Sequence, residues 1–330
     1  MSTCRRSLNS ATRALRLSLN RCAPPAAQQP GRRPYAVASS AAPRFQVFNR
    51  RTKWLQKERA GANVQAGRQA DYLKDEVAMR VAERLLDINR HFPKVLDLGA
   101  NSCNIARALA ADNPDPYPAK PESAPLSTRI TELTAVESSE TLLYRDSGLD
   151  FNKKLNITRR VLEDEETLPF EPESFDLVLS SLSMHWINDL PGILSQINSV
   201  LKPDSPFIGA MLGGDSLFEL RTSLQLADLE RRLQDADGGR RRHHRRLPRY
   251  DLQAMGESNA TLGREMGPIG RDVLLANDAI YRELHGNEDG SVPATFRIIY
   301  MIGWREGENQ PQPLPRGSGQ TNLKELLEHK

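Results

Sequence analysis

Short segments rich in Val, Ile and Leu alternate along the chain with longer segments whose apolar positions recur at helical spacing. The short segments have the length and composition of strands. Strands that alternate with helices predict an α/β fold with a doubly wound, mostly parallel sheet. The predicted strands are residues 95–98, 130–136, 157–162, 175–181, 207–211 and a late strand, 295–304.

Changes in composition divide the chain into segments with different expectations. A helical pattern without internal proline covers residues 48–86, which predicts a cap of helices ahead of the sheet. A later run of arginine and histidine favours a solvated basic loop over a nucleic-acid patch, and no nucleic-acid partner is predicted. The predicted organisation is a disordered presequence (1–44), a helical cap (45–92), an α/β core (93–232), a basic low-complexity loop (233–250), a helical segment with the late strand (251–306) and a loose tail (307–330).

The charge of the amino-terminal segment is strongly one-sided. From Met1 to Lys53 there are ten arginines and no aspartate or glutamate, with serine, alanine and proline between them. This composition is typical of a mitochondrial presequence. A disordered basic tail that binds nucleic acid is the alternative, but the run lacks the aromatic interleaving expected of one. The segment therefore predicts import into mitochondria.

Composition also argues against several classes of protein. Three cysteines, two of them within the predicted presequence, cannot form a disulfide framework. No Cys/His cluster has the spacing of a metal site, and no segment approaches the roughly 18 apolar residues that cross a bilayer. We therefore predict neither a metal nor a transmembrane segment. The third cysteine, Cys103, is expected to be a small packing residue rather than a nucleophile.

The first strand leads directly into a glycine turn and the start of a helix. Such a turn places backbone N–H groups and a carboxylate at the carboxyl end of a parallel sheet, where nucleotide-like cofactors bind. We expect Asp97 and Gly99 to shape this loop, together with Ala100 and Asn101. Glu137 follows the second strand at once, in position to accept hydrogen bonds from two ribose hydroxyls, with a helix cap or surface acid as the alternative.

Further acids follow the third strand. Asp164 is placed to accept a hydrogen bond from an adenine amine, while Glu165 either joins the cofactor site or, like Glu166, is a surface charge. No lysine follows the glycine turn and acids flank it, so a nucleoside with a positive sulfonium fits better than a pyrophosphate. The Asp97-x-Gly99 pair resembles the first motif of S-adenosylmethionine-dependent methyltransferases, which bind such a nucleoside.

The fourth strand ends in a polar and aromatic segment that should open toward the reacting group. Ser180 is assigned to the cofactor site. Ser181, His185 and Trp186 are assigned to the substrate side, where His185 is a candidate general base or orienting group. The alternative is that His185 and Trp186 pack the following helix. Candidate lid residues on the amino-terminal helices, again with helix packing as the alternative, are Tyr72 and Gln56.

Longer stretches resemble one family in particular. They are residues 47–60, 71–77, 180–191, 207–221, 251–260 and 287–295. Together they resemble the mitochondrial complex I assembly factor 5 family, arginine hydroxylases with a class I S-adenosylmethionine-dependent methyltransferase fold, and the match covers nearly all of residues 45–306.

This resemblance implies S-adenosylmethionine as cofactor and an arginine of the iron–sulfur subunit of respiratory complex I as substrate. It also implies a place in the mitochondrial matrix, peripheral on the inner membrane. Hydroxylation has no evident oxidant, because the sequence carries neither a facial triad of two histidines and a carboxylate nor a flavin fingerprint. Two alternatives are a non-catalytic assembly chaperone for complex I and a small-molecule carboxyl O-methyltransferase.

The chain departs from the family pattern in two places. Asn101 and Cys103 stand where the family has glycines, and their side chains take room at the cofactor loop, so cofactor binding is expected to be weak or shifted. The short run at 233–250 replaces a longer family segment that includes a strand. The late strand should therefore lack a neighbour on one side, and we expect this chain to fold less stably than its relatives.

Overall fold

The helices and strands alternate as the hydrophobic pattern predicts. The computed structural model describes residues 46–111, 125–235, 249–263, 269–308 and 310, all within a unit that spans residues 44–330. The predicted presequence, most of the basic loop and most of the tail lie outside the described residues.

The strands and helices of the described residues are numbered in chain order. The strands are β1 (Phe92–Leu98), β2 (Ile130–Glu137), β3 (Ile157–Val161), β4 (Leu177–Ser181), β5 (Pro206–Leu212) and β6 (Ile298–Trp304). The helices are α1 (Arg50–Ala62), α2 (Val64–Ala70), α3 (Tyr72–Arg84), α4 (Asn104–Leu109), α5 (Glu140–Tyr144), α6 (Leu190–Val200), α7 (Phe218–Asp235), α8 (Arg249–Met255) and α9 (Arg271–His285).

The amino-terminal helical pattern forms three helices. Asn63 ends α1 and begins α2, because its side chain accepts a hydrogen bond from Ala66 N at 3.3 Å. Asp71 separates α2 from α3. Helix α1 packs very closely on α5, since a Cβ at Gly61 would lie 2.6 Å from Leu142 N. These caps and contacts fix α1 above the sheet.

The sheet has the order β3-β2-β1-β4-β5-β6. Strand β1 pairs in parallel with both β2 and β4, whereas β6 is antiparallel to β5. The predicted α/β fold with a mostly parallel sheet is therefore confirmed. The chain order reverses between β1 and β4, which makes their carboxyl ends the topological switch point where ligands bind in such folds.

Both faces of the sheet are covered by helices. On one face, Val95 and Leu133 pack with residues of α3 and α4, such as Val81. On the other face, Leu96 packs with residues of α6, such as Ile193. Burial on both faces explains why the central strands are almost wholly apolar. It also makes any charged residue on them a costly exception.

Strand β6 is the last strand of the sheet in the part of the chain that the structure describes. Its only strand partner there is β5, as the sequence predicts for the late strand. Four of its large apolar side chains are 41–51% exposed: Ile299, Tyr300, Ile302 and Trp304. Such an edge is open to pairing with another strand.

Candidate functional site

The loop after β1 keeps the backbone of a glycine loop although two of its residues are not glycine. Gly99, Asn101 and Cys103 have φ angles of 70°, 51° and 60°. A Cβ at Gly99 would lie 2.0 Å from Ser183 Oγ, so only glycine fits there. A left-handed conformation costs a residue with a side chain about 1–2 kcal/mol, although asparagine tolerates it best. Asn101 and Cys103 therefore hold a backbone conformation that favours glycine, and the loop is strained at these two positions.

The Asn101 side chain crosses the space between β1 and β4. Its Nδ2 donates to Gly99 O at 3.1 Å and to Ser181 O at 3.2 Å. Its Oδ1 accepts from Lys74 Nζ, on α3, at 2.9 Å. Asn101 and Lys74 are both buried. The switch point is thus bridged by this chain's own side chains.

Cys103, the next left-handed residue of the loop, is a free, fully buried cysteine. Burial raises the pKa of its thiol to about 12, so the thiol is neutral and not nucleophilic near neutral pH. The prediction of a packing role is confirmed.

Glu137 lies at the carboxyl end of β2, against the cofactor loop. Its side chain has no exposed area, which rules out a surface acid. Oε2 accepts from Asn101 N at 3.1 Å, while Oε1 accepts from Ser138 N at 2.8 Å and from Lys57 Nζ at 2.6 Å. The acid predicted to hold a ribose is therefore next to the loop but already has a cation.

Lys57, on α1, joins two buried carboxylates. Its Nζ lies 2.6 Å from Glu137 Oε1 and 2.7 Å from Glu165 Oε1. Burial acts to lower the pKa of Lys57, but the two carboxylates outweigh it and raise the pKa above its usual range. Burial acts to raise the pKa of Glu165, but Lys57 and Arg50 hold it well below its usual range. Burial, reinforced by the charge of Glu165, raises the pKa of Glu137, although Lys57 acts to lower it. Both acids at this end of the crevice are thus paired with a cation, which corrects the expectation of an uncompensated acidic pocket.

The acids after β3 divide between the surface and the interior. Asp164 is exposed, and its oxygens accept from Glu166 N at 3.0 Å and from Thr167 Oγ1 at 2.8 Å. Glu165 and Glu166 are only 3% and 8% exposed, so the surface-charge alternative is wrong for both. Glu166 Oε1 accepts from Asn188 N at 2.8 Å. Of these acids, Glu165 is the one that reaches the buried cluster with Glu137.

Two buried polar side chains at the switch point have no hydrogen-bond partner among the described residues. They are Asp97, through both carboxylate oxygens, and Ser181, through Oγ. Burial, reinforced by the nearby charge of Glu137, raises the pKa of Asp97 to about 8. Ser180, in contrast, donates from Oγ to Leu98 O at 2.8 Å and so serves within the sheet. Asp97 and Ser181 therefore have unused hydrogen-bonding capacity at the switch point.

A cage for a cation lies beyond the end of β4. The Lys53 ammonium, from α1, donates to Gly256 O at 2.7 Å and to Glu257 Oε2 at 2.9 Å, and it lies 3.6 Å from the centre of the Trp186 ring. Trp186 Nε1 also donates to Glu257 Oε2, and His185 Nε2 lies 3.4 Å from the same oxygen. A carboxylate, a carbonyl and an aromatic face therefore surround one buried cation.

The charges within this cage perturb both partners. Burial lowers the pKa of Lys53 to about 8, although Glu257 acts to raise it. Burial acts to raise the pKa of Glu257, but Lys53 and His185 hold it below its usual range. Glu257 is therefore ionised near neutral pH, whereas burial in the cage destabilises the charged form of Lys53.

An apolar cavity adjoins the cage at the carboxyl ends of β4 and β5. The polar side chains of Lys74, His185 and Glu257 reach its wall. The Nδ1 atom of His185 is buried and has no hydrogen-bond partner among the described residues. The main apolar residues that line the cavity are Leu73, Leu182, Leu212, Leu217, Met255 and Phe296. The cavity thus combines an apolar wall with the side chains of a carboxylate, a lysine and a histidine.

The two candidate lid residues lie in different surroundings. Gln56 is 9% exposed, and its Nε2 donates to Asn259 O at 2.9 Å, which ties α1 to the segment after α8. Tyr72 is 53% exposed and lines neither the apolar cavity nor the open groove beside α1. The structure brings Gln56, but not Tyr72, to the edge of the cage.

Four charged residues of the site were not predicted from the sequence: Lys53, Lys57 and Lys74, which are buried, and Glu257, whose side chain is 12% exposed. Lysines on a charged amphipathic helix are normally solvated, so nothing local distinguishes these three. The lysines at 53, 57 and 74 and the glutamate at 257 all fall within the stretches that resemble the family, and that resemblance is the one signal that could have found them.

In the described part of the chain, no helix is long and apolar enough to cross a membrane. The same residues contain no group of three or more His, Cys, Asp or Glu arranged to hold a metal ion.

The strand order, the glycine-type loop after β1 and the acid after β2 define a protein with the class I methyltransferase fold. The sequence profile of the methyltransferase domain family matches residues 121–209. More specifically, the chain belongs to the family of the mitochondrial arginine hydroxylase NDUFAF5.

Three curated relatives describe this similarity. The Danio rerio protein named arginine-hydroxylase NDUFAF5, mitochondrial, is 40% identical over 317 residues, which cover 85% of this chain and 89% of the relative. The Homo sapiens protein of the same name is 40% identical and covers 87% of this chain and 85% of the relative. A malonyl-[acyl-carrier protein] O-methyltransferase of Halorhodospira halophila is 30% identical over 261 residues, which cover 71% of this chain and 82% of the relative.

Proposed function

We propose that this chain binds S-adenosylmethionine at the switch point and modifies an arginine of the iron–sulfur subunit of respiratory complex I. The observation that supports the cofactor most directly is the arrangement of Glu137 against the glycine-type loop, with the unpartnered carboxylate of Asp97 beside it. The class of substrate comes from the family, whose members are named arginine hydroxylases.

The residues at this edge fit a cationic nucleoside. Asp97 offers a buried carboxylate that lacks a partner among the described residues, and a positive ligand nearby would favour its ionised form. Glu137 is the acceptor for ribose hydroxyls. Gly99 and Ala100 supply the loop backbone, and Asp164 or Glu165 the acceptor for adenine. When bound, S-adenosylmethionine supplies a methyl group activated by the sulfonium charge.

Binding requires local rearrangement in this chain. Lys57 already neutralises Glu137, and the bond between Asn101 and Lys74 crosses the crevice. The ammonium of Lys57 keeps Glu165 as a partner if Glu137 turns toward a ribose. The hydrogen bond from Asn101 Nδ2 to Ser181 O has to break before the Ser181 hydroxyl and Asp97 can both face the ligand.

On the substrate side, Ser181, His185 and Trp186 lie at the end of β4, next to the apolar cavity. We assign His185 the task of orienting the substrate or accepting a proton from it, because its Nδ1 is buried and lacks a partner among the described residues. The names of the relatives favour hydroxylation of the arginine over methyl transfer. Those relatives are named mitochondrial, and we place this chain in the matrix, peripheral on the inner membrane.

The test is mass spectrometry of the purified iron–sulfur subunit after incubation with the full chain, S-adenosylmethionine and a mitochondrial matrix extract that supplies an oxidant. An added oxygen atom on an arginine supports hydroxylation, and an added methyl group supports methyl transfer. An unchanged mass, with the subunit still bound to the chain, contradicts an enzymatic role.

Two second candidates each have an observation in their favour. The bridging of the crevice by Lys57, Asn101 and Lys74 favours a non-catalytic assembly chaperone. The similarity to a malonyl-[acyl-carrier protein] O-methyltransferase favours a carboxyl O-methyltransferase. The chaperone binds the subunit without S-adenosylmethionine, whereas the carboxyl O-methyltransferase turns over without the iron–sulfur subunit.

A further inference from the structure

The cage around Lys53 has the composition of a binding site for a cationic side chain. Its three contacts to the ammonium are the Glu257 carboxylate, the Gly256 carbonyl and the face of Trp186. A carboxylate together with an indole face is a strong combination for recognising a cation away from water.

The location of the cage agrees with a substrate site. Trp186 and His185 follow β4 directly, at the carboxyl end where the reacting group lies in folds of this type. Glu257, His185 and Trp186 also line the apolar cavity, while Lys53 lines the open groove on the other side. Lys53 therefore lies between the two spaces, and the apolar cavity can take the methylene stem of a long cationic side chain.

We propose that Glu257, Trp186 and the Gly256 carbonyl form the binding site for the guanidinium of the substrate arginine, and that Lys53 occupies this site until the arginine displaces it. This inference rests on the proposed function for the identity of the substrate. Arginine suits the cage better than lysine does, because a planar guanidinium can stack on Trp186 while it donates two hydrogen bonds to Glu257.

The open groove beside α1 can accept the side chain of Lys53 when it leaves the cage. Lys53 lies at the wall of the groove that is lined by Arg50, Trp54 and Glu58, so its side chain can turn toward solvent on that side. The lowered pKa of Lys53, about 8, also means that losing the cage costs this ammonium less than it would cost a stably paired one. Glu257 keeps its hydrogen bond from Trp186 Nε1 throughout.

The experiment uses Nα-acetyl-arginine N-methylamide as probe and the corresponding citrulline derivative, which has the same shape without the charge, as its control. Calorimetric titrations compare the full chain with Lys53→Met and with Arg50→Met. Arg50 is a control on the same helix: it joins α1 to the core through Glu165 at 2.5 Å and donates to the backbone carbonyl of Trp186 at 3.1 Å, but its ion pair is with Glu165 rather than with Glu257. We expect Lys53→Met to bind the arginine probe at least tenfold more tightly than the full chain does, and Arg50→Met to show no such gain.

Two further variants identify the site. Adding Glu257→Gln or Trp186→Leu to Lys53→Met should abolish the gain. If Lys53→Met melts at a much lower temperature than the unchanged protein, Lys53→Gln, which keeps a donor for Gly256 O, takes its place. An equal gain for citrulline, or an equal gain in Arg50→Met, overturns the proposal and leaves Lys53 as a structural tie.

The modification assay separates this inference from the proposed function. If the iron–sulfur subunit is modified equally well by Glu257→Gln, the cage is not the substrate site although the function stands. If the cage binds the arginine probe as expected but the subunit gains no mass, the proposed function fails, whereas the assignment of the cage as a guanidinium-binding site stands.

Discussion

Lys53 and Lys57 lie one turn apart on α1 and are almost equally buried, but they mark two different ends of the crevice. At the cofactor end, Lys57 has two carboxylates and its pKa is raised above the usual range. At the substrate end, Lys53 has one carboxylate, and burial lowers its pKa to about 8. The number of carboxylates around each ammonium accounts for the opposite directions of the two pKa shifts.

The largest expected effect is the loss of stability in Lys57→Met. This change leaves Glu137 and Glu165 buried together without their shared cation, and breaking a buried ion pair costs about 3–5 kcal/mol. Unfolding in urea measures the difference in free energy. Lys53→Met is the matched control and should cost less than about 2 kcal/mol, because Trp186 Nε1 still donates to Glu257. Equal losses in the two variants would refute the comparison.

The next effect is the pH dependence that Asp97 confers at the cofactor end. Its pKa is about 8 in the folded chain and about 4 in the unfolded chain, so between these values only the folded state keeps the proton. Stability should therefore fall as pH rises through this window, by up to about 1.4 kcal/mol per pH unit. In Asp97→Asn the slope of unfolding free energy against pH should be much flatter. An unchanged slope would mean that Asp97 is ionised when folded.

A smaller effect concerns the affinity for S-adenosylmethionine. Glu137→Ala should weaken binding at least tenfold, about 1.4 kcal/mol, because charge-assisted hydrogen bonds to the ribose are lost. Glu257→Gln, at the substrate end, should leave the affinity within about twofold. Calorimetric titration measures both affinities. Unchanged affinity in Glu137→Ala would remove this residue from the cofactor site. A large loss of affinity in Glu257→Gln would show that Glu257 also contributes to the cofactor site.

The smallest effect tests the strain in the cofactor loop. Asn101→Gly and Asn101→Ala both lose the bonds to Lys74, Gly99 and Ser181, but only alanine meets the penalty of a left-handed backbone. The glycine variant should be more stable by about 1 kcal/mol. Equal unfolding midpoints and slopes for the two variants would show that the loop relaxes.

Local patterns are enough to predict the sheet and part of the site. The strands follow from short apolar segments, and Glu137 is expected near Gly99 because neighbouring parallel strands end at the same edge. Asp97 is found through its strand and turn. These inferences need only residues that are close in sequence or paired in the sheet.

The counter-ions could not be predicted in the same way. Lys57 meets Glu137 and Glu165 across 80 and 108 positions of the chain, and that contact depends on how α1 docks on the core. No residue close to Lys57 in the sequence indicates that its ammonium will contact two buried acids. The choice between Asp164 and Glu165 has the same difficulty, because adjacent residues in a turn can point to solvent or to the interior. Tertiary packing decides such cases.

The docking of α1 limits how far the chain can be shortened from its amino-terminal side without loss of stability. Because Arg50 and Lys57 balance the charge of Glu165 and Glu137, the first helix is an integral part of the domain rather than a dispensable leader. A protease that trims the chain from its amino-terminal end can stop ahead of Arg50 and leave these pairs whole. Cleavage beyond Lys57 would strip two anions of their cation and expose the product to unfolding and degradation.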